Sequence, residues 1–103
     1  TSKEIGNIMN AIPTRVTVGK RHYWVHEKPR KKGLHGRVYF GTRAIVIHNH
    51  EDKAVDRNTF WHELTHAVLF EMGSKLFRDE KFVTEFADKL SGAIDSARFD
   101  KNV

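Results

Sequence analysis

The stretch Phe60-Trp61-His62-Glu63-Leu64-Thr65-His66-Ala67-Val68-Leu69-Phe70 decides how the rest of this chain is read. Its two histidines are four residues apart and framed by apolar residues, which suits one face of a helix, because positions i and i+4 lie about one turn apart. So placed, His62 and His66 offer two imidazole nitrogens to one tetrahedral metal ion. Glu63, beside the first histidine, can reach a water on that ion and accept its proton. These residue types at this spacing point to a zinc hydrolase, with one catalytic Zn2+ as the expected cofactor and Glu63 as the general base. Met72-Gly73 closes the run, and glycine just past the last apolar residue is a common helix C-terminal signal.

Working outward, a helix is expected from about Lys53 to Met72, with Asp52 or Asn49 as its cap. Val55, Phe60, Trp61, Leu64, Ala67, Val68 and Leu69 cover more than one of its faces, so it should lie buried between a sheet and another helix, with both histidines enclosed. Upstream, Ala44-Ile45-Val46-Ile47 is too apolar to face water on both sides, and Arg43 to His48 is expected to be a central strand. Gly36 to Phe40 alternates and reads as a strand nearer an edge, joined to the next by a tight turn at Gly41-Thr42. From Thr14 to about Glu27 the period is again two. That segment is one long or bulged strand, or a hairpin turning at Gly19-Lys20. Ser2 to Ile12 carries Ile5, Ile8, Met9 and Ile12 at helical spacing and ends at Pro13, a short packing helix.

Downstream, Gly73 to Arg78 reads as a loop and Asp79 to Arg98 as a helix that shows Phe82, Val83, Phe86, Leu90, Ala93, Ile94 and Ala97 on one stripe. The element order is α-β-β-β-α-α. The fold class is α+β: a small antiparallel or mixed sheet of three to four strands, preceded by a short helix and packed on two longer ones, a minimal zincin-like arrangement.

The 103 residues make one domain, 1–103, near the size at which surface-to-volume leaves little stability to spare. With no cysteine, disulfides and thiolate sites are excluded, and a zinc ion must be held by histidine, carboxylate and water. No apolar run approaches the roughly twenty residues of a membrane span, and none resembles a signal peptide. A soluble, cytoplasmic protein is expected, without membrane contact. The net charge of +5 is concentrated in Lys28-Pro29-Arg30-Lys31-Lys32 and in Arg15, Lys20 and Arg21. Such a run is ordinarily a solvated loop; its functional reading is a nucleic-acid or acidic-partner site. Trp24 and Phe99 are candidates for an exposed apolar patch.

Two histidines do not complete a catalytic zinc site, which normally has three protein ligands. The longer motif with a third histidine is absent, since Met72 stands where that histidine would be. A carboxylate is therefore expected, from Glu71, Asp79, Glu80, Glu85 and Asp88. At about 100° per residue, Glu80 falls near the border of the Phe82-Phe86-Leu90 stripe and Glu85 is turned away. Glu80 is the favoured ligand and Glu85 the alternative. Asp88 or Thr84 could orient a ligand histidine, and Tyr39, His48 and His50 are candidate donors to a developing oxyanion.

His62-Glu63-Leu64-Thr65-His66 followed by Glu80-Lys81-Phe82-Val83-Thr84-Glu85-Phe86-Ala87 resembles the H-E-L-x-H and E-x-x-A-N-x-F-A pattern of the ImmA/IrrE-type metallopeptidases, gluzincin-type enzymes, particularly the short phage and prophage versions. Gly36 to Gly41 and Ala44 to Ile47 look like the strand pair before their zinc helix. The resemblance spans roughly Gly36 to Ile94 and implies a zinc metallopeptidase acting on a protein or peptide, with Glu80 on the family's ligand glutamate. Thr84 departs from the usual asparagine or glutamate, and nothing like the helix-turn-helix domain of larger members is present. The competing expectation is a catalytically silent zincin-like module that binds a protein or nucleic acid through residues 28–32.

Overall fold

The computed structural model describes residues 12–99. The helix expected over Ser2 to Ile12 therefore lies outside the described residues except for Ile12. Four strands come first, β1 (Arg15–Val18), β2 (Arg21–Lys28), β3 (Gly36–Tyr39) and β4 (Ala44–His48). Helix α1 (Lys53–Glu71), a 3-10 turn (Lys75–Arg78) and helix α2 (Glu80–Ser96) follow. This is an α+β fold with the sheet ahead of the helices.

The segment from Thr14 to Glu27 resolves as a hairpin, with Gly19 at φ +62 in the first central position of its two-residue turn, where primed turns take glycine. The sheet runs β1-β2-β4-β3. The most apolar strand, β4, is interior and β3 is an edge, as their patterns imply. Because β4 inserts between β2 and β3, it pairs parallel with β2 and antiparallel with β3, which makes the sheet mixed. The β3–β4 connection is Phe40 to Arg43, and its left-handed residue is Arg43 (φ 53) rather than Gly41. The Arg43 carbonyl accepts from the Trp24 amide at 3.0 Å, which anchors that turn to β2.

One face of the sheet carries Tyr23, Val25, Val38, Ile45 and Ile47, packed with Phe60 and Ala67 of α1. Tyr23, Ile45 and Ile47 are fully buried, each apolar side chain so enclosed contributing about 1.5–3 kcal/mol. The Tyr23 hydroxyl donates to Glu71 Oε2 at 2.5 Å, which ties the sheet to the end of α1.

Helix α1 is capped by Asp52, whose carboxylate accepts from the Ala54 amide, and it ends at Met72 with Gly73 at φ +72. One turn in, Asp56 is completely buried. Its Oδ1 accepts the His50 amide at 2.8 Å and its Oδ2 accepts from the Asn49 side chain at 3.1 Å. The connection from β4 is thereby clamped to the helix, and the anion sits where the helix dipole favours it.

Two corrections concern the segment after α1. The expected loop at 73–78 contains the 3-10 turn, capped by Ser74. On α2 the buried positions are Val83, Ala87 and Ser91, while Phe86 is 48% exposed. The buried stripe is thus rotated by one residue from the aromatic one. Small side chains let α2 approach α1 closely, whereas Phe82 and Phe86 stack on each other with ring centroids 5.8 Å apart. Glu80, three residues before Val83, is on the same side of α2 as the buried stripe, with its side chain 71% exposed.

At Gly36, an added Cβ would lie 2.6 Å from Thr59 Cγ2, 3.0 Å from the Val46 carbonyl and 3.2 Å from Glu63 Cγ. Helix α1 crosses β3 at this point only because that side chain is missing. Gly36→Ala is expected to lower stability by about 1–3 kcal/mol, as overpacking does. Adding Thr59→Ser, which removes Cγ2 and keeps the hydroxyl, should restore part of the loss in denaturant unfolding.

Candidate metal centre

The side chains of His62, His66 and Glu80 converge. One turn of α1 separates the histidines, and Glu80 enters from the first turn of α2, positioned by its cap Asp79, whose carboxylate accepts the Phe82 amide at 3.0 Å. The Nε2 atoms of His62 and His66 are 3.2 Å apart. Glu80 presents Oε2 at 3.0 Å to the first and Oε1 at 2.9 Å to the second. A tetrahedral ion with bonds of 2.0–2.1 Å has edges of about 3.3 Å between ligand atoms. This group could hold a metal ion.

Proton positions sharpen the fit. His66 Nδ1 lies 2.6 Å from the Phe77 carbonyl, and a carbonyl can only accept, so Nδ1 carries the hydrogen. In the neutral ring, Nε2 then turns a lone pair toward Glu80, the tautomer a metal requires. Burial lowers the pKa of His62, and the neighbouring His66 lowers it further, against an opposing pull from Glu80. Two imidazolium rings at this separation are accordingly disfavoured. Lone pairs facing a carboxylate repel unless a cation lies among them.

His66 is buried and His62 partly so, and the Glu80 side chain is 71% exposed. The centre is walled on the helix side and open past Glu80. It lines a cleft of about 700 Å³, whose other walls include Gly36, Val38, Thr59 and Phe77. Glu63 lines the same cleft and is buried, with no hydrogen bond to the described residues. Burial, and after it the charge of Glu80, raises its carboxyl from 4.5 to about 7.

Several expected roles are corrected. Glu85 is exposed and outside the cluster, so the carboxylate that meets the histidines is Glu80. Thr84 and Asp88 are also exposed, and the group orienting His66 is the Phe77 carbonyl. Tyr39, His48 and His50 are not part of the cleft wall. Tyr39 is on an outward position of β3, His48 Nδ1 donates to the Pro29 carbonyl, and His50 Nδ1 donates to the His48 carbonyl. Polar groups that do line the cleft are His35, Asn58 and Arg78. Lys31 and Leu34 form an isolated bridge in the basic loop, which with His35 and His50 borders a second, smaller hollow. Sequence spacing could not have located a backbone carbonyl such as that of Phe77, nor Gly36, whose role is defined by another element's approach.

Metal binding to this set should couple to folding, since its ligands come from two helices. A saturating divalent ion is expected to raise the melting temperature and a chelator to lower it. His66→Ala should abolish both responses, and an unchanged melting curve would exclude the centre.

In chelator-treated protein, the Glu63 carboxyl gives a second readout. Its pKa is raised on folding, so its favourable contribution is complete below about 4.5 and is lost as pH rises through about 7. Glu63→Gln should flatten that slope, match the parent near pH 4, and exceed it at pH 8 by roughly 2–3 kcal/mol in urea titrations.

No family model, curated protein or solved structure matches this chain.

Proposed function

We propose that this protein is a zinc-dependent endopeptidase of the ImmA/IrrE-like kind, with His62, His66 and Glu80 holding one zinc ion and Glu63 acting as general base. The observation that carries the reading is the Glu63 side chain, buried and without a hydrogen bond to the described residues, in the same cleft as three convergent donor atoms. A metal site built only for stability has no use for such a group. The motif resemblance of His62 to His66 and of Glu80 to Ala87 supports the same assignment.

Bound zinc would supply Lewis acidity, lowering the pKa of a water to about 7 and polarising a carbonyl. Glu63, next to His62 and in the same cleft, would take a proton from the attacking water and return it to the leaving amine. His66, held by Phe77, keeps its Nε2 aimed at the centre throughout. His35 and Arg78 are cleft-lining groups with protons to offer a developing oxyanion.

The substrate is a protein or peptide in extended form. Strand β3 is an edge of the sheet, and its Gly36, Arg37 and Val38 line the cleft. Its free backbone groups can pair with a substrate strand, leaving side-chain pockets to set preference. No helix among the described residues is long and apolar enough to cross a membrane.

Zinc-loaded protein is expected to hydrolyse an unfolded protein such as casein. Glu63→Gln should lower kcat by about 10²–10⁴-fold with zinc stoichiometry unchanged. Full zinc occupancy without hydrolysis, or an active glutamine variant, would overturn the peptidase reading.

A further inference from the structure

The sheet face turned away from α1 is not accounted for by a metal centre. Register pairing places Arg15, Trp24, Ala44 and Tyr39 in one row across all four strands, and His26, Val46 and Arg37 in the next. Trp24 is 52% and Tyr39 46% exposed. Each ring has its own cation: the Arg15 guanidinium lies 5.7 Å from the Trp24 centroid, and Arg37 lies 5.6 Å from that of Tyr39. Small Ala44 separates the two aromatic residues, so they stand two strand spacings apart, roughly 10 Å. Arg15 and Arg37 form no ion pair with the described residues, and no strand residue on this face is acidic, Glu27 being on the opposite one.

We infer that this outer face is a binding platform for single-stranded nucleic acid. Bases stack on Trp24 and Tyr39, and the guanidinium groups of Arg15 and Arg37 meet the phosphates between them. Flat aromatic rings beside cations on an open sheet suit unstacked bases, because every base has a π-face and every linkage a negative charge. A duplex hides its bases in the stack and gains nothing from the rings. The chain's +5 net charge adds a long-range attraction to the same polyanion. An acidic peptide would satisfy the cations but leave the paired rings without a role, which is why nucleic acid is favoured. Trp24, Tyr39 and Arg15 lie outside the cleft, and Arg37, on the edge strand, borders both sites.

The test is fluorescence anisotropy of the full chain with labelled oligothymidylate and oligouridylate of about fifteen nucleotides, in low salt and across a salt series. Binding should weaken steeply with salt, and the two oligonucleotides distinguish DNA from RNA preference. Trp24→Ala and Tyr39→Leu should each weaken binding about tenfold or more with melting curves unchanged. Replacing Arg30, Lys31 and Lys32 together by alanine should have a smaller effect. If a substitution unfolds the protein, Trp24→Phe, which keeps a ring, serves in its place and should retain most of the affinity while losing the tryptophan quenching seen in the parent. Absence of binding at low salt would overturn the inference. So would equal affinity for duplex, loss of binding only in the loop variant, or an acidic peptide that competes as well as the oligonucleotide.

Discussion

Helix α1 must be buried on several sides while carrying polar side chains, and that constraint governs the rest of the molecule. Asp56, Thr59, Glu63, Thr65 and His66 are all buried. Burying a polar group without a partner costs several kcal/mol in a nonpolar setting, so each needs an answer. Asp56 receives the His50 amide and the Asn49 amide group, Thr59 and Thr65 donate to the carbonyls of Val55 and Trp61, and His66 donates to Phe77. Glu63 alone is left without a partner among the described residues. The other four buried polar residues on this helix are thus each given a partner, and Glu63 instead faces the cleft.

The sheet contributes by geometry more than by chemistry. Inserting β4 between β2 and β3 puts the most apolar strand under α1 and leaves β3 as an edge beside the cleft. The absent side chain at Gly36 then lets the Glu63 side chain pack close to that edge through its Cγ. A bulkier residue would push the helix outward and move Glu63 away from that edge.

Much of this was legible in the sequence, and the failures have physical reasons. The i, i+4 spacing of His62 and His66 fixes a shared face wherever a helix forms. The apolar run at Ala44 to Ile47 can only be interior. Strand direction was not legible, since a mixed sheet depends on which side of a neighbour the chain returns to. On α2 the expected stripe holds at Val83 and fails at Phe86, because size and hydrophobicity compete: the phenylalanines are the more apolar, but Val83, Ala87 and Ser91 permit the closer helix contact. Glu80 takes its direction from the Val83-Ala87 side of α2 and not from the aromatic side, and it stays largely exposed. The role of Asp56 was missed because a buried carboxylate in a first helical turn looks, in sequence, like any exposed one.

The chain has no cysteine, and Glu80 comes from a different helix than His62 and His66. An ion shared among the three would act as a reversible cross-link, closing a loop of about fourteen residues between His66 and Glu80. In chain-entropy terms, closing a loop of that size restricts the unfolded ensemble by an amount comparable to a short-loop disulfide, about 3 kcal/mol. A domain of this size would thereby obtain its staple from the three side chains of the candidate centre, and withdrawing the ion would empty the centre and loosen the architecture in a single event.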